Sequence, residues 1–405
     1  MIQRVFRQIQ ITHPDARIVV ATGKMQVESI LNQLQNSVEI VVEPERRDTF
    51  PAIALAVTYL HDKGGLDEDE PIVVMPVDTY AETQYFNVIS GMEQAIRQNV
   101  ADIALMGITP TYASEKYGYV IPSGHVGEYL SADSFEEKPS VSRAIELIRE
   151  GALWNGGVFA FRVGFLLKKL EERGLPASYD LLLSNYSDLR RLSFDYEVVE
   201  KTNSIAVVPY SGLWKDLGTW NTLSEEIDKE IGNVICGEGT ENTQIINELD
   251  IPLITLGAKD MVIVASPDGI LVTGKNESSY MKPYVEQMEQ RPMFEERRWG
   301  NYRVLESTVS ESDLQKSLTK HLFIKAGKKL SYQSHESRDE IWTIVDGVGV
   351  VLLDGHTRNV KRGDVAFISA GMKHAVEAIS NLHLIEVQIG ERLEETDIVR
   401  YAMDW

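Results

Sequence analysis

Short runs of β-branched residues alternating with helix-period segments constrain this chain more than any other feature. "IVVAT", "VEIVVE", "IVVMPVD" and "IALMGI" lie between residue 18 and residue 108, separated by segments around 26–35, 51–63 and 85–99 with apolar residues at helical spacing. That alternation predicts βαβ units and a parallel sheet, hence an α/β class. A helix precedes the first strand, because Ile2, Val5, Phe6 and Ile9 of "MIQRVFRQIQ" fall on one helical face. Nucleotide-binding α/β domains usually open instead with a strand and a glycine-rich turn whose N–H groups hold phosphate.

The remaining organisation follows from turn chemistry. "YGYVIPSG" and "SADSFEEKPS" are read as short strands and turns, with a helix near 140–150 and a strand at "GGVFAFRV"; the α/β domain is taken as residues 1–230. Residues 231–284 are rich in β-formers punctuated by Gly, Asn, Asp and Pro, and are expected to be a stack of short strands. "QMEQRPMFEERRWGN" is charged and lacks apolar periodicity, so residues 285–298 are read as a linker. From 299 to 405, "HLFIKAG", "IWTIVDG", "VGVVLLDG", "DVAFISAG" and "LHLIEVQIG" are closely spaced strands with Gly or Asp-Gly turns, the pattern of a small antiparallel β-barrel or double-sheet jelly roll.

The 405 residues suffice for two or three domains, and no apolar run approaches bilayer-spanning length. Cys236 is the only cysteine, and no signal peptide is visible; both favour a cytoplasmic location. A net charge of −21 disfavours nucleic acid and anionic membranes as partners. Anionic small substrates then need a local Lys or Arg, backbone amides or a metal ion.

Asp78, in "VVMPVDTY", lies just past a predicted strand end, where open α/β sheets bind ligands. Its carboxylate suits a Mg²⁺ ion bridging nucleotide phosphates, and equally suits a helix N-cap. Asp216 in "SGLWKDLGTW" is a second acid, either a turn residue or a partner of Asp78 on one cation. Lys138 in "FEEKPS" can hold a phosphate or stay solvated. "EPERRDTFPAIALA" places Glu43, Arg46 and Arg47 at a strand end before a helix opened by Asp48 or Thr49, with Arg46 read as solvated.

The order "EPERRDTFPAIALA", "PVDTY", "GITPTYASEKYGYV", "FEEKPS", "LWNGGVFAFR", "SFDYEVVEKT", "VVPYSGLWKDLGTW" resembles the mannose-1-phosphate guanylyltransferase family nearly segment for segment, from the start to about residue 285. The resemblance implies a nucleotidyltransferase Rossmann-like domain that joins mannose 1-phosphate to GTP, giving GDP-mannose and pyrophosphate. It further implies that Asp78 and Asp216 hold the catalytic Mg²⁺, with Lys138 beside them. Glu137 and Lys138 would contact the sugar phosphate, Gly118, Asn155 and Gly156 would line the sugar site, and Glu43 and Arg47 would lie near the nucleotide. Family members begin with a strand and a Gly-Gly-x-Gly-x-Arg loop around the triphosphate, and "MIQRVFRQIQ" matches the helix after it. Residues 1–405 lack that loop, so the first sheet is expected to be N-terminally truncated by one strand and transfer to be weak.

"GKKLSYQSHESRDEIWTIVDG" and "GDVAFISAGMKHAV" resemble the two cupin motifs. Gln333, His335 and Glu340 fall at ligand positions of the first, framed by Gly327 and Gly347, and His374 follows Gly371 in the second. Residues 333 and 335 of one strand point to one side. Two imidazoles, a carboxylate and an amide oxygen suit Zn²⁺ or another divalent ion. The region also resembles a type II phosphomannose isomerase, with Glu336, Ser337 and Ile341 where that family is histidine-rich. The competing expectations are therefore mannose-6-phosphate isomerisation in this region, or a catalytically silent sugar-phosphate or nucleotide-sugar binding protein. Homo-oligomerisation is left open.

Overall fold

The computed structural model describes residues 1–126, 128–288, 290–310, 315–394 and 396–402. They form two compact units, dividing after Gly218. The first unit runs α1 (Ile2–Thr12), β1 (Val19–Gly23), α2 (Val27–Leu34), β2 (Glu39–Glu43), α3 (Thr49–Asp62), β3 (Pro71–Val74), β4 (Thr79–Ala81), α4 (Thr83–Arg97) and β5 (Ile103–Ile108). It continues through β6 (Tyr119–Val126), β7 (Tyr129–Glu136), α5 (Val141–Arg149), β8 (Leu153–Arg162), α6 (Val163–Glu172), α7 (Tyr179–Ser184), α8 (Phe194–Glu197), β9 (Ile205–Tyr210) and β10 (Trp214–Asp216).

Helix α1 forms on the predicted face and buries Val5, which clusters with Tyr85 and Phe86 of α4. Helix α3 starts at Asp48, whose carboxylate accepts the Thr49 N–H at 2.8 Å. A cap of this kind stabilises a helix by about 1 kcal/mol. Phe50, Ile53, Ala54, Leu55 and Val57 of α3 then pack in one core with Val41 of β2, Ile103 and Leu105 of β5, and Phe159 and Phe161 of β8. Burial of each large apolar side chain contributes about 1.5–3 kcal/mol.

The strands depart from the parallel sheet expected of residues 18–108. Strands β1 and β2 do run parallel, in a two-stranded sheet of their own. The six-stranded sheet has the order β3-β8-β5-β9-β7-β6, and within it only β5 and β9 are parallel. Strands β3 and β5 both pair antiparallel with β8, Pro71 opposite Arg162 and Ile103 opposite Phe161. Direction is set by this partner, which lies far along the chain, and a run such as "IALMGI", buried along its whole length, reads the same in either direction.

The second unit opens with α9 (Trp220–Ser224) and a set of short strands. Strand β11 (Val234–Cys236) runs parallel to β13 (Leu253–Thr255), β12 (Gln244–Asn247) runs parallel to β14 (Met261–Ser266), and β14 forms a hairpin with β15 (Gly269–Gly274). After α10 (Lys282–Val285) come β16 (Phe294–Arg297), β17 (Gly300–Val309), β18 (Lys316–Ile324), β19 (Gln333–Ser334), β20 (Arg338–Asp346) and β21 (Val348–Leu353). The last strands are β22 (His356–Lys361), β23 (Val365–Ile368), β24 (His374–Ala378), β25 (Leu382–Gly390) and β26 (Val399–Arg400). Strand β16 falls inside the segment read as a linker: Phe294 pairs with Arg303 of β17, and its charged residues lie on an end strand, where charge is tolerated.

Strands β16 to β26 make two antiparallel sheets, ordered β16-β17-β18-β25-β20-β23 and β22-β21-β24-β19-β26. Alternation of buried and part-buried residues along β20 sends Trp342 and Ile344 into one core with Leu318, Leu322, Val351 and Val376. Gly347 turns the chain from β20 to β21 with φ +89°, where a Cβ would lie 2.1 Å from the Asn381 carbonyl oxygen. Only glycine fits both demands.

Candidate functional site

Asp78 is followed not by a helix but by β4, which removes the N-cap reading; α4 begins at Thr83. Strand β4 pairs antiparallel with β10, Thr79 opposite Asp216, and the Leu217 N–H donates to the Asp78 carbonyl at 3.1 Å. This ladder brings the two acids together. A Cβ at Gly218 would stand 2.9 Å from Asp216 Oδ1 and 3.4 Å from Asp78 Oδ2, so both carboxylates border the same small space. Asp216 Oδ1 accepts the Gly218 N–H at 2.7 Å. Burial, together with the Asp216 charge, raises the Asp78 carboxyl above the ordinary aspartate value. Two facing carboxylates with hard oxygen donors suit a divalent cation, which relieves the repulsion between them.

A second group collects around Asn155. Lys138 Nζ donates to Glu137 Oε1 at 2.7 Å, and Gly118 leaves room for Glu137, since a Cβ there would lie 2.5 Å from Glu137 Oε2. The Asn155 N–H donates to the Gly118 carbonyl at 2.8 Å. Burial pulls the Lys138 ammonium down, but Glu137, with Asp195 and Asp48 farther off, raises it overall, so it stays charged. Lys138 adopts φ 48° immediately before Pro139, a left-handed backbone that costs a lysine of order 1 kcal/mol and aims its side chain along Glu137. Gly156 packs where a Cβ would be 3.2 Å from the Met106 carbonyl oxygen.

Trp154, which precedes Asn155, and Trp214, two residues before Asp216, have ring centroids 6.0 Å apart. Tyr117, beside Gly118, contacts them at 5.0 and 5.3 Å. The aromatic cluster thus joins the strand that carries Asn155 to the strand that carries Asp216.

Glu43 ends β2 and accepts the Tyr186 hydroxyl at 2.7 Å. Arg47 turns inward, donating to the Leu189 carbonyl at 3.1 Å and pairing with Glu45 at 3.1 Å. It ties β2 to the segment after α7, while Arg46 is exposed, as its solvated reading predicts.

In the second unit His335, Glu340 and His374 are 1–2% exposed and offer ligand atoms all within 4.8 Å of one another. Strand β19 carries Gln333 opposite His374 of β24, and β20 brings Glu340 between the imidazoles. His335 Nε2 lies 3.2 Å from Glu340 Oε1, and His374 Nε2 lies 3.5 Å from Glu340 Oε2. Glu340 Oε2 and His374 Nε2 are buried without a hydrogen-bond partner, as expected of donor atoms directed at an ion. His335 Nδ1 meets the Asp397 carbonyl at 2.5 Å and His374 Nδ1 meets the Met372 carbonyl at 2.9 Å, which fixes each ring with Nε2 facing the group. Burial and Arg338 bring His335 down to about 4, and burial lowers His374, so both imidazoles are neutral near pH 7 and able to ligate.

Gln333 lies beside the triad with its amide nitrogen 3.3 Å from His335 Nε2, its oxygen being held by the Ser331 hydroxyl at 2.8 Å. Arg338 donates to Glu340 Oε1 at 3.0 Å and to His335 Nε2 at 3.2 Å. Arg338 and Asp195, which accepts from Asn155, are site neighbours that sequence reasoning passed over. Their signals were slight: an arginine between two ligand positions, and an aspartate in "SFDYEVVEKT" two residues after a capping serine.

Comparison with known proteins agrees with both regions. The nucleotidyl transferase family model matches residues 1–231 and the mannose-6-phosphate isomerase C-terminal model matches residues 286–403. A putative mannose-1-phosphate guanylyltransferase of Vibrio cholerae is 30% identical over 97% of this chain and 88% of its own length. A mannose-1-phosphate guanylyltransferase of Escherichia coli is 31% identical over 97% of this chain and 87% of its own. A crystal structure described as mannose-1-phosphate geranyltransferase from Thermus thermophilus superposes with a TM-score of 0.58 at 25% identity, covering 71% of this chain and 88% of that one. By these similarities the chain belongs to the mannose-1-phosphate guanylyltransferase family, with a mannose-6-phosphate isomerase C-terminal, cupin-like region.

Proposed function

We propose that Asp78, Asp216 and Lys138 carry the reaction of this enzyme, guanylyl transfer from GTP to mannose 1-phosphate giving GDP-mannose and pyrophosphate. The observation behind the assignment is the convergence of the Asp78 and Asp216 carboxylates on the space at Gly218. They would hold Mg²⁺, which when bound neutralises triphosphate charge and aligns the α-phosphorus for in-line attack. Lys138 offers a compact positive charge to the attacking sugar phosphate, and Glu137, Gly118, Asn155 and Gly156 line the sugar side. Glu43 accepts from a tyrosine and Arg47 is turned to a carbonyl, so both shape the edge of the nucleotide side through the backbone they hold.

The family's glycine-rich phosphate loop has no counterpart in residues 1–405, and β1 and β3 are both end strands of their sheets. Chromatographic detection of GDP-mannose from GTP and mannose 1-phosphate tests the assignment. Product formation is expected to need Mg²⁺ and to fall at least about a hundredfold in Asp216→Asn; undiminished formation contradicts it.

A specific observation also favours metal binding in the second unit, since two buried atoms of the cluster, Glu340 Oε2 and His374 Nε2, have no hydrogen-bond partner. We read the two sheets as a cupin β-barrel holding a divalent ion, Zn²⁺ being suited to this donor set, at His335, Glu340 and His374 with Gln333 alongside. When bound, the ion would polarise a sugar carbonyl. Mannose 6-phosphate isomerisation is the activity this region would add. Metal content of the purified chain should fall to background in a His335→Ala, His374→Ala double variant, and retained metal overturns the reading. By function we divide the chain into 1–230, 231–284 and 299–405, with residues 285–298 joining the last two and supplying strand β16 to the sheet that follows.

A further inference from the structure

Asp195 is held more firmly than an ordinary surface aspartate. Its helix α8 is capped by Ser193, which accepts the Tyr196 N–H at 3.2 Å, and the Phe194 N–H donates to Thr49 Oγ1 at 2.8 Å. The buried Phe194 ring packs on Phe159 and Phe161 at 5.0 and 5.4 Å. The carboxylate that follows is thereby directed at Asn155, and accepts from Asn155 Nδ2 at 2.5 Å. At the other end of the same amide, Asn155 Oδ1 accepts the Gly157 N–H at 3.1 Å, where Gly157 has φ +68°. Both ends of the Asn155 amide are therefore committed, and its orientation is decided by Asp195 and Gly157.

The charges around Asp195 are Glu137 and Lys138, just after β7, with Asp48 and Glu200 acting on those two in turn. Two carboxylates and one ammonium leave acceptor capacity in excess. A sugar ring with hydroxyls is a ligand that supplies donors to it. We propose that Asp195 is the positioning residue for sugar selection: by locking the Asn155 amide and standing beside Glu137, it sets which ring-hydroxyl configuration of a sugar 1-phosphate the site accepts. This rests on the reading that Glu137 and Asn155 line the sugar side. A site built to hydrogen-bond particular hydroxyls discriminates against epimers more strongly than an apolar pocket does, because a misplaced hydroxyl leaves buried polar groups unpaired.

Calorimetric titration of the full chain with mannose 1-phosphate, its C2 epimer glucose 1-phosphate, and GTP tests this without relying on turnover. Asp195→Asn keeps the shape and an acceptor for Asn155 but replaces one carboxylate oxygen by a donor. It is expected to weaken mannose 1-phosphate about tenfold, to narrow the mannose-to-glucose affinity ratio by a similar factor, and to leave GTP within about twofold. Asp195→Ala should weaken mannose 1-phosphate further, with Asp195→Asn restoring part of the loss. If Asp195→Asn binds both sugars with unaltered affinity while Asn155→Ala and Glu137→Ala lose mannose 1-phosphate, the inference fails and the sugar-site reading stands. If Asp195→Asn weakens both sugars and GTP alike, the role is structural and the inference again fails. If the unaltered chain does not bind mannose 1-phosphate, or Asn155→Ala and Glu137→Ala leave its binding unchanged, the reading falls and takes the inference with it.

Discussion

Asp195, the proposed positioning residue, carries a cost in stability. Burial first, and Glu137 second, hold its carboxyl at about 6 against an ordinary 3.8. The folded chain thus binds this proton more tightly than the unfolded chain, so its favourable contribution is complete below pH 3.8 and is lost as pH rises through about 6. At pH 7 the ionised group opposes folding, by an amount of order 3 kcal/mol if fully expressed. Asp195→Asn is accordingly predicted to raise the melting temperature at pH 7.5 while leaving it little changed at pH 4; a lower melting temperature at pH 7.5 contradicts this. In the unaltered chain, mannose 1-phosphate affinity should decline as pH falls through about 6 more steeply than in Asp195→Asn. The phosphate's own ionisation near pH 6 is common to both proteins and cancels in that comparison.

At the scale of elements, the site is assembled by strand ends rather than by one motif. Gly118 shows the consequence. A methyl group there would meet Glu137 Oε2 at 2.5 Å and Phe135 Cζ at 2.6 Å, both side chains of the segment leading to Lys138. Gly118→Ala is predicted to displace Glu137 and weaken mannose 1-phosphate about tenfold, with GTP affinity unchanged in the same titration. Unchanged sugar affinity would show that Glu137 is not held by this contact.

Local signals made much of this architecture legible. Helical spacing located α1, the expected Asp48 or Thr49 cap located α3, and the framing glycines with His335, Glu340 and His374 anticipated the buried triad. What escaped was decided by distant partners. The antiparallel pairing of β3 and β5 with β8, the replacement of a cap at Asp78 by β4 and β10, and the pairing of β16 with β17 all depend on segments that local periodicity cannot connect. Asp195 was unread for the same reason, because its partner Asn155 lies 40 positions earlier.

For the whole molecule, charge and function pull in opposite directions. A chain with 61 acids against 40 Lys and Arg presents a repulsive field to GTP and to a sugar phosphate. In the proposed assignment, binding then rests on local devices, namely Lys138 and a cation between Asp78 and Asp216. If both acids serve one ion, losing either should be nearly as damaging as losing both. The decisive measurement is the rate of pyrophosphate release from GTP and mannose 1-phosphate across a Mg²⁺ titration, for the unaltered chain, Asp78→Asn, Asp216→Asn and the double variant. The two single variants are expected to lose at least about a hundredfold each and the double variant scarcely more. Single variants within about threefold of the unaltered chain, or a double loss equal to the product of the single losses, would contradict a shared magnesium site.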